Sequence, residues 1–358
     1  MDLDEDAVAA AQLLALACAG DNEAFGRLTA PHRRELLIHC YRMLGSLQDA
    51  EDALQETLLA AWQALAGFEL RSSLRTWLYT IATHRCLNAR RATRRRPPKE
   101  WDVPGVQPPM PSRLGEVVWL EPLPDELVAS GVGLWPGPET VYEQGESISL
   151  AFITALQVLP PRQLAVLVLR DVLGFRASEV ANMLATTTES VTSALKRARA
   201  TMKHHQAADV GHQASPPAGS PTENALVAQF VRAYESSDVD ALIALLTDDV
   251  FMSMPPMPFE YEGKDLVAEF WHLLFRADRK YRLIPTRANG QPAFGSYVRA
   301  ADGLFHCTGL FVLTLAGNQI CALTRFETTT VPRFGLPRSL ANLDPQIRPD
   351  HWARSPVR

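Results

Sequence analysis

Ten prolines lie between Pro97 and Pro138. Each removes a backbone donor, fixes its own φ and pushes the preceding residue out of the helical region. A single core cannot close across such a stretch, so separate bodies are expected on either side of an extended linker. Trp101, Trp119 and Trp135 lie in the same stretch. A purely flexible spacer has no use for large apolar rings, so the linker is expected to dock on something. A second break, Gly211 to Pro221, is built of small residues and prolines and marks another boundary. For 358 residues, two or three domains fit the usual domain size.

Apolar residues make up 47% and charged residues 21%, which argues against wholesale disorder. The apolar run Ala7 to Gly20 follows four acids, whereas a secretory leader is basic. No stretch approaches the roughly 20 apolar residues of a membrane span. Cys18, Cys40, Cys86, Cys307 and Cys321 are scattered, with no CxxC pair to hold zinc or frame disulfides. His204 and His205 read as a frayed helix end. The expectation is a cytoplasmic protein with reduced thiols, no metal, no cofactor and no membrane partner.

Charge is unevenly spread. Residues 61–100 hold nine Arg/Lys against two acids, and 161–205 hold seven against three. Between them, 97–143 hold eight acids against two bases. Two basic islands flanking an acidic strip point to a polyanionic partner.

Apolar spacing predicts helices over Glu23–Leu28, Glu35–Leu44, Asp49–Leu65 and Leu74–Arg91, and a second helical segment over Ser147–His205. Within that second segment, Ala181 suits a close helix–helix approach, and Val191 lies ten residues on. Thr186 to Thr188 offer an N-cap, with Glu189 in the first turn. This is helix-turn-helix spacing, whose second helix enters the major groove. Thr188, Ser190, Thr192 and Ser193 open that helix, where base edges are reached; Lys196, Arg197 and Arg199 follow and suit phosphates. Ala185 occupies the turn position where glycine is favoured. An ordinary helical hairpin with a solvated basic end fits the same residues.

Two further stretches carry chemistry. In Ser46 to Trp62, Asp49, Asp52 and Glu56 share one face, with Ala50, Ala53, Leu54 and Leu58 turned to the core. Taken alone, that face reads as a solvated acidic stripe. In Phe68 to Arg91, Arg71, Arg75, Arg85, Arg90 and Arg91 interleave with Trp77, Tyr79 and His84. Arginines among aromatics suit single-stranded nucleic acid, although Trp77 and Ile81 also read as core.

The three stretches, in this order, resemble the extracytoplasmic-function (ECF) subgroup of sigma-70 family RNA polymerase sigma factors over about Phe25 to Lys203. Asp-Ala-Glu-Asp-Ala-Leu-Gln-Glu-Thr resembles region 2.2. That resemblance implies that Asp49, Glu51, Asp52, Gln55 and Glu56 meet the β′ coiled coil of core polymerase. Ser-Ser-Leu-Arg-Thr-Trp-Leu-Tyr resembles the parts that melt and read the −10 element, with Arg71, Ser72, Ser73, Arg75, Tyr79, His84, Arg85, Asn88, Arg90 and Arg91 facing DNA. The family's Asp-x-x-Arg is replaced here by Asn88-Ala-Arg-Arg. Leu159-Pro-Pro-Arg-Gln-Leu with the helix-turn-helix resembles region 4, which reads the −35 element and meets the β flap. The family's linkers thread toward the RNA exit as nucleic-acid mimics.

Past the second break the pattern changes. Helices are expected at Glu223–Glu235, Val239–Leu246 and Asp265–Phe275, then strands at Tyr281–Ile284, Ala293–Arg299, Leu304–Leu315 and Gln319–Thr330, with a Gly317-Asn318 hairpin turn. Phe230 to Val250 and Met254 to Gly263 resemble the SnoaL-like cone-shaped α+β domains, some of which are isomerases using a tyrosine and a carboxylate. Phe230 and Met254 stand at those two positions, and neither transfers a proton. Asp248 and Asp249 read as a helix end and loop. Phe230, Phe251, Met254, Tyr261 and Trp271 line a pocket for a small apolar ligand or simply form core.

The expected architecture is therefore multidomain, two all-α sigma domains followed by an α+β SnoaL-like domain. The boundaries are 1–96 (region 2), 97–145 (linker), 146–206 (region 4), 207–221 (linker), 222–330 (SnoaL-like) and 331–358 (irregular tail). The implied function is a non-enzymatic sigma factor tuned by its C-terminal domain through intramolecular contact. Two alternatives stand: a DNA-binding regulator that never joins polymerase, and a bifunctional protein whose C-terminal pocket binds or converts a small molecule.

Overall fold

The computed structural model describes residues 11–68, 72–93, 96–101, 107–116, 119–129, 148–207, 213–276 and 279–341. They divide into two compact units, residues 1–96 with 153–205 and residues 97–152 with 206–358. Arg71, Trp135 and the last seventeen residues lie outside the described residues, as do the side chains of His204 and His205.

The first unit is helical. Helix α1 spans Asn22–Leu44 and α2 spans Leu47–Ala64. Asp21 caps α1 by accepting from the Glu23 and Ala24 amides, and Gly45 ends it at φ +74°. The two helices expected before Gly45 are one, because Pro31 sits inside α1 on an exposed face. An interior proline costs about 3 kcal/mol, and Phe25, Leu28, Leu36 and Ile38 bury apolar surface on both sides of it. Helix α3 spans Leu74–Thr93 and packs on α1 and α2.

In the second unit, strand β1 (Arg113–Leu114) and helix α4 (Asp125–Ala129) come from the proline-rich segment. Helix α5 (Leu150–Val158) leads back into the first unit, followed by α6 (Pro161–Leu167), a π-turn at Val168–Val172, α7 (Ala177–Met183) and α8 (Thr188–Ala207). Ala181 and Val191 are both buried, which joins α7 to α8.

The remainder of the second unit holds α9 (Pro221–Glu235), α10 (Val239–Ala244), β2 (Leu246–Ser253), β3 (Phe259–Glu262), α11 (Lys264–Phe275), β4 (Tyr281–Ala288), β5 (Gln291–Arg299), β6 (Phe305–Ala316), β7 (Gln319–Phe326) and β8 (Ser339–Leu340). The sheet order is β1-β3-β2-β7-β6-β5-β4, with β8 on β6; β2 and β7 run parallel and the other pairs antiparallel. Gly317-Asn318 makes the β6–β7 turn, Gly317 at φ +58°. Asp248 and Asp249 lie in β2, not in a helix end and loop. The β2–β7 register slips between Leu246 and Phe251, and this bulge leaves both aspartates facing solvent.

The proline-rich segment does dock, and its partner is the C-terminal domain. Arg113 and Leu114 pair with Glu260 and Phe259, adding an edge strand. Trp101 packs beside Phe259 and Phe270, and the Tyr261 hydroxyl donates to the Pro109 carbonyl at 3.1 Å. Lys99 pairs with Glu327 and Arg113 with Glu260.

Candidate functional site

The α7–α8 pair presents its second helix cleanly. Thr187 caps α8, its hydroxyl accepting from the Ser190 amide at 3.2 Å. Thr188, Ser190, Thr192, Ser193, Lys196, Arg197 and Arg199 are all exposed along one helix, while Val191, Ala194, Leu195 and Ala198 face inward. Arg199 makes a two-pronged pair with Asp171 at 2.8 Å, and Arg197 donates to Ser193. Ala185 holds φ +48° in the turn. A left-handed backbone costs an L-residue about 1–2 kcal/mol. We expect Ala185→Gly to raise the stability of the first unit by about 1 kcal/mol, read as an increased melting temperature.

Helix α2 exposes Asp52, Gln55 and Glu56, and Leu59 beside them is 58% exposed. Glu51 is half-buried. Asp49 is not on this surface: it is 6% exposed and accepts both prongs of Arg96, at 2.8 and 3.1 Å. Arg96, from the basic 61–100 island, neutralises it.

Helix α3 departs furthest from expectation. Ser73, His84, Asn88 and Arg91 are exposed, and Ser72, Arg75 and Arg85 are half-buried. Tyr79 and Arg90 are buried instead of facing outward. The Tyr79 hydroxyl donates to Glu35 at 3.2 Å, and its ring meets Phe175 edge-on at 5.4 Å. Burial and the neighbouring Glu35 carboxylate push the phenol pKa up, which keeps it a donor. Arg75 pairs with Glu35 at 3.0 Å and sits over the rings of Tyr79 and Phe175. Burial raises the Glu35 carboxyl, but hydrogen bonds from His32 and Arg75 outweigh it and leave the pKa lowered. His84 Nε2 donates to the Met183 carbonyl of α7 at 2.8 Å.

Arg90 fills a polar socket. Nη1 donates to the Met43 carbonyl at 2.9 Å and to Gln157 Oε1; Nη2 donates to the carbonyls of Gln157 and Leu159 at 3.0 and 3.2 Å. Gln157 returns a bond to the Arg42 carbonyl at 3.2 Å. Glu35, Arg96, Gln157 and Phe175 are the functional neighbours that periodicity did not single out. Each acts across helices that are far apart in sequence.

His39 lies in the same core, fully buried, with Nε2 3.0 Å from Thr83 Oγ1. Burial, reinforced by the charges of Arg42 and Arg75 against Glu35, lowers its pKa to about 3. The unfolded chain therefore binds this proton at a pH where the folded chain does not. Stability contributed by neutral His39 is present above the ordinary histidine pKa of ~6.5 and is lost as pH falls toward 3. Each unit corresponds to about 1.4 kcal/mol, so we expect about 2 kcal/mol lost between pH 6.5 and pH 5. Denaturant melts of the wild type and His39→Gln across that range check it: the variant should lose this slope.

In the C-terminal domain, Phe230, Met254, Tyr261 and Trp271 are 0–1% exposed and packed in the core. Neighbouring core side chains cover them, so they do not line an open pocket. Phe251 is half-buried beneath the Arg113 guanidinium, 5.4 Å from its ring. Among the described residues no group of three or more His, Cys, Asp or Glu is arranged to hold a metal, and no helix is long and apolar enough to cross a membrane.

Comparison with known proteins finds three family matches along the chain. The Sigma-70 region 2 family matches residues 28–96, Sigma-70 region 4 matches 149–202, and the SnoaL-like domain matches 227–323. ECF RNA polymerase sigma factor SigG of Mycobacterium tuberculosis is 43% identical over 327 residues, spanning 88% of this chain and 85% of that protein. SigM of the same organism is 27% identical over 190 residues, 53% of this chain and 81% of SigM. The crystal structure of M. tuberculosis extracytoplasmic function sigma factor SigJ superposes with a TM-score of 0.57 at 22% identity, covering 87% of this chain and 99% of SigJ, which shows a shared fold. The chain belongs to the ECF RNA polymerase sigma factors.

Proposed function

We propose that this sigma factor meets core polymerase through the exposed acidic face of α2, reads the −35 element with α8, and carries a C-terminal domain that acts by holding its own linker. Family membership makes core RNA polymerase and promoter DNA its partners. Asp52, Gln55 and Glu56 are the acceptors that remain available to a basic partner surface, with Leu59 adding apolar contact. Thr188, Ser190, Thr192 and Ser193 sit where base edges are reached, and Lys196, Arg197 and Arg199 suit the flanking phosphates.

The single observation that carries the rest is the engagement of α3. Four of its proposed −10 contacts, Arg75, Tyr79, His84 and Arg90, are occupied by Phe175, Met183, Gln157 and Leu159 from the region 4 half. Melted −10 DNA and these partners compete for the same side chains. The described state is a resting form, and promoter capture requires the two halves of the first unit to part. Catalysis is not part of this reading, because the SnoaL-like core offers Phe230 and Met254 where a proton-transfer pair would stand.

Core binding and run-off transcription with full-length protein test it. Asp52→Arg places a cation in an acidic face without disturbing buried contacts. Rim charges that meet opposite charge govern association, so core affinity should fall about tenfold or more. Unchanged affinity would remove α2 from the polymerase interface.

A further inference from the structure

Residues 279–299 carry five Arg/Lys and no Asp or Glu. One of the five, Arg287, is committed to Asp125 and Glu223. Strand register tells where others go. Arg282 is opposite Tyr297, Arg299 is opposite Phe305, and Phe305 is opposite Leu340. Directly paired residues share a face, and residues two apart along a strand share it too. Tyr281 and Leu283 point to the other face, into the core. Lys280, Arg282 and Arg299 therefore emerge together on the outer face. Arg338 joins them: it precedes β8, and its carbonyl accepts from the Cys307 amide at 2.9 Å. The Arg282 guanidinium lies 5.8 Å from the Phe305 ring centroid, which draws it toward Arg299.

All four cations are exposed, and none has an ion pair among the described residues. The nearby acids are engaged: Asp302 with His306 Nε2 at 2.7 Å and the Leu304 amide at 2.9 Å, and Glu235 with the Leu283 amide at 3.0 Å. Four cations across β4, β5, β6 and β8 span three strand spacings, about 14 Å. Duplex DNA carries one charge per about 1.7 Å of axis, so the patch faces several phosphates at once.

The chain also limits how far this face can be from DNA. Helix α8 ends at Ala207 and α9 begins at Pro221. That connection reaches at most on the order of 50 Å fully extended. A domain so tethered stays at millimolar effective concentration near whatever duplex α8 occupies.

We propose that the β4–β5–β6–β8 face is a second duplex-DNA contact, gripping the phosphate backbone flanking the segment read by α8. The proposal rests on the reading of α8 as the DNA-reading helix. The face positions DNA without specifying sequence, since its contacts are charge on phosphate.

The test uses the full chain and a labelled 40-base-pair duplex of arbitrary sequence, titrated from 50 to 200 mM salt. Arg282→Glu/Arg299→Glu/Arg338→Glu should weaken binding at least tenfold and flatten the salt slope by about three. A glutamine triple variant, checked for an unchanged melting temperature, should give a smaller loss in the same direction. Lys196→Glu/Arg197→Glu should weaken binding separately. If only the α8 variant matters, the sheet-face proposal fails and the α8 reading stands. If only the sheet-face variant matters, α8 loses its role and the sheet face keeps its own. Unchanged affinity and slope in the sheet-face variants, or no wild-type binding at 50 mM salt, overturns the proposal.

Discussion

Arg90→Ala will separate the two halves of the first unit. The guanidinium satisfies three backbone carbonyls, those of Met43, Gln157 and Leu159, and the Gln157 side chain. Its residue is 6% exposed, so water does not replace it readily. Truncation leaves several buried acceptors unpaired and opens a void. Each stranded acceptor costs about 1–3 kcal/mol, so a total loss of about 3–5 kcal/mol is expected. Arg90→Lys should recover little, because an ammonium cannot fork onto two carbonyl groups as a planar guanidinium does. Hydrogen exchange locates the effect. Amides of α5, α6 and α7 should lose protection while the α1–α2 hairpin keeps its own. If exchange rises uniformly, Arg90 supports the whole fold and is not a latch. Loss of the latch should also free Tyr79 and His84; Gln157→Ala, which opens the socket and keeps Arg90 as a proposed −10 contact, should therefore bind single-stranded −10 DNA more tightly than wild type.

Much of this chain is legible because its signals are local. Ala181 and Val191 at ten-residue spacing, a threonine cap and Ala185 in a left-handed turn are set by neighbouring residues, and the structure has them where spacing put them. Helix α3 shows where locality fails. Arg75, Tyr79, Cys86 and Arg90 fall on one stripe of α3 at multiples of the helical repeat. Periodicity reveals the stripe but not what covers it. Arginine and tyrosine satisfy phosphate and base as readily as carbonyl, carboxylate and ring, so their composition pointed to DNA. The same limit applies to Asp49, whose partner Arg96 lies on another segment. Asp248 and Asp249 failed differently: consecutive acids break strand alternation, and only the bulge against β7 restores it. The proline-rich segment announced by its tryptophans that it docks, but nothing in it named β3 as the edge it would extend.

That docking has a further anchor at one turn, and Asn289→Ala should release it. Asn289 and Gly290 form the β4–β5 turn, Asn289 at φ +56° and fully buried. Its Oδ1 accepts from the Leu123 amide at 2.8 Å, and its Nδ2 donates to the Ile148 carbonyl at 2.6 Å. One side chain thus binds both Leu123 and Ile148. The Asn289 amide adds a bond to the Leu123 carbonyl, and the Gly290 amide donates to Asp125, which also pairs with Arg287. Alanine strands a buried amide and a buried carbonyl and tolerates positive φ poorly. At about 1–3 kcal/mol for each stranded group and about 1 for the backbone, the docked segment should lose roughly 3–5 kcal/mol. Asn289→Asp separates the two bonds: it keeps an acceptor for Leu123 and loses the donor to Ile148, so its loss should be intermediate. Asn289→Gly removes the strain but not the stranding, and should stay near alanine. Limited proteolysis between residues 119 and 129 reads the outcome, with faster cleavage at an unchanged melting temperature of the β4–β7 core. If cleavage stays slow in Asn289→Ala, the edge strand and Trp101 hold the segment without this turn. If it quickens, a single turn of the C-terminal domain governs how firmly Leu123 and Asp125, in the segment that joins regions 2 and 4, stay docked.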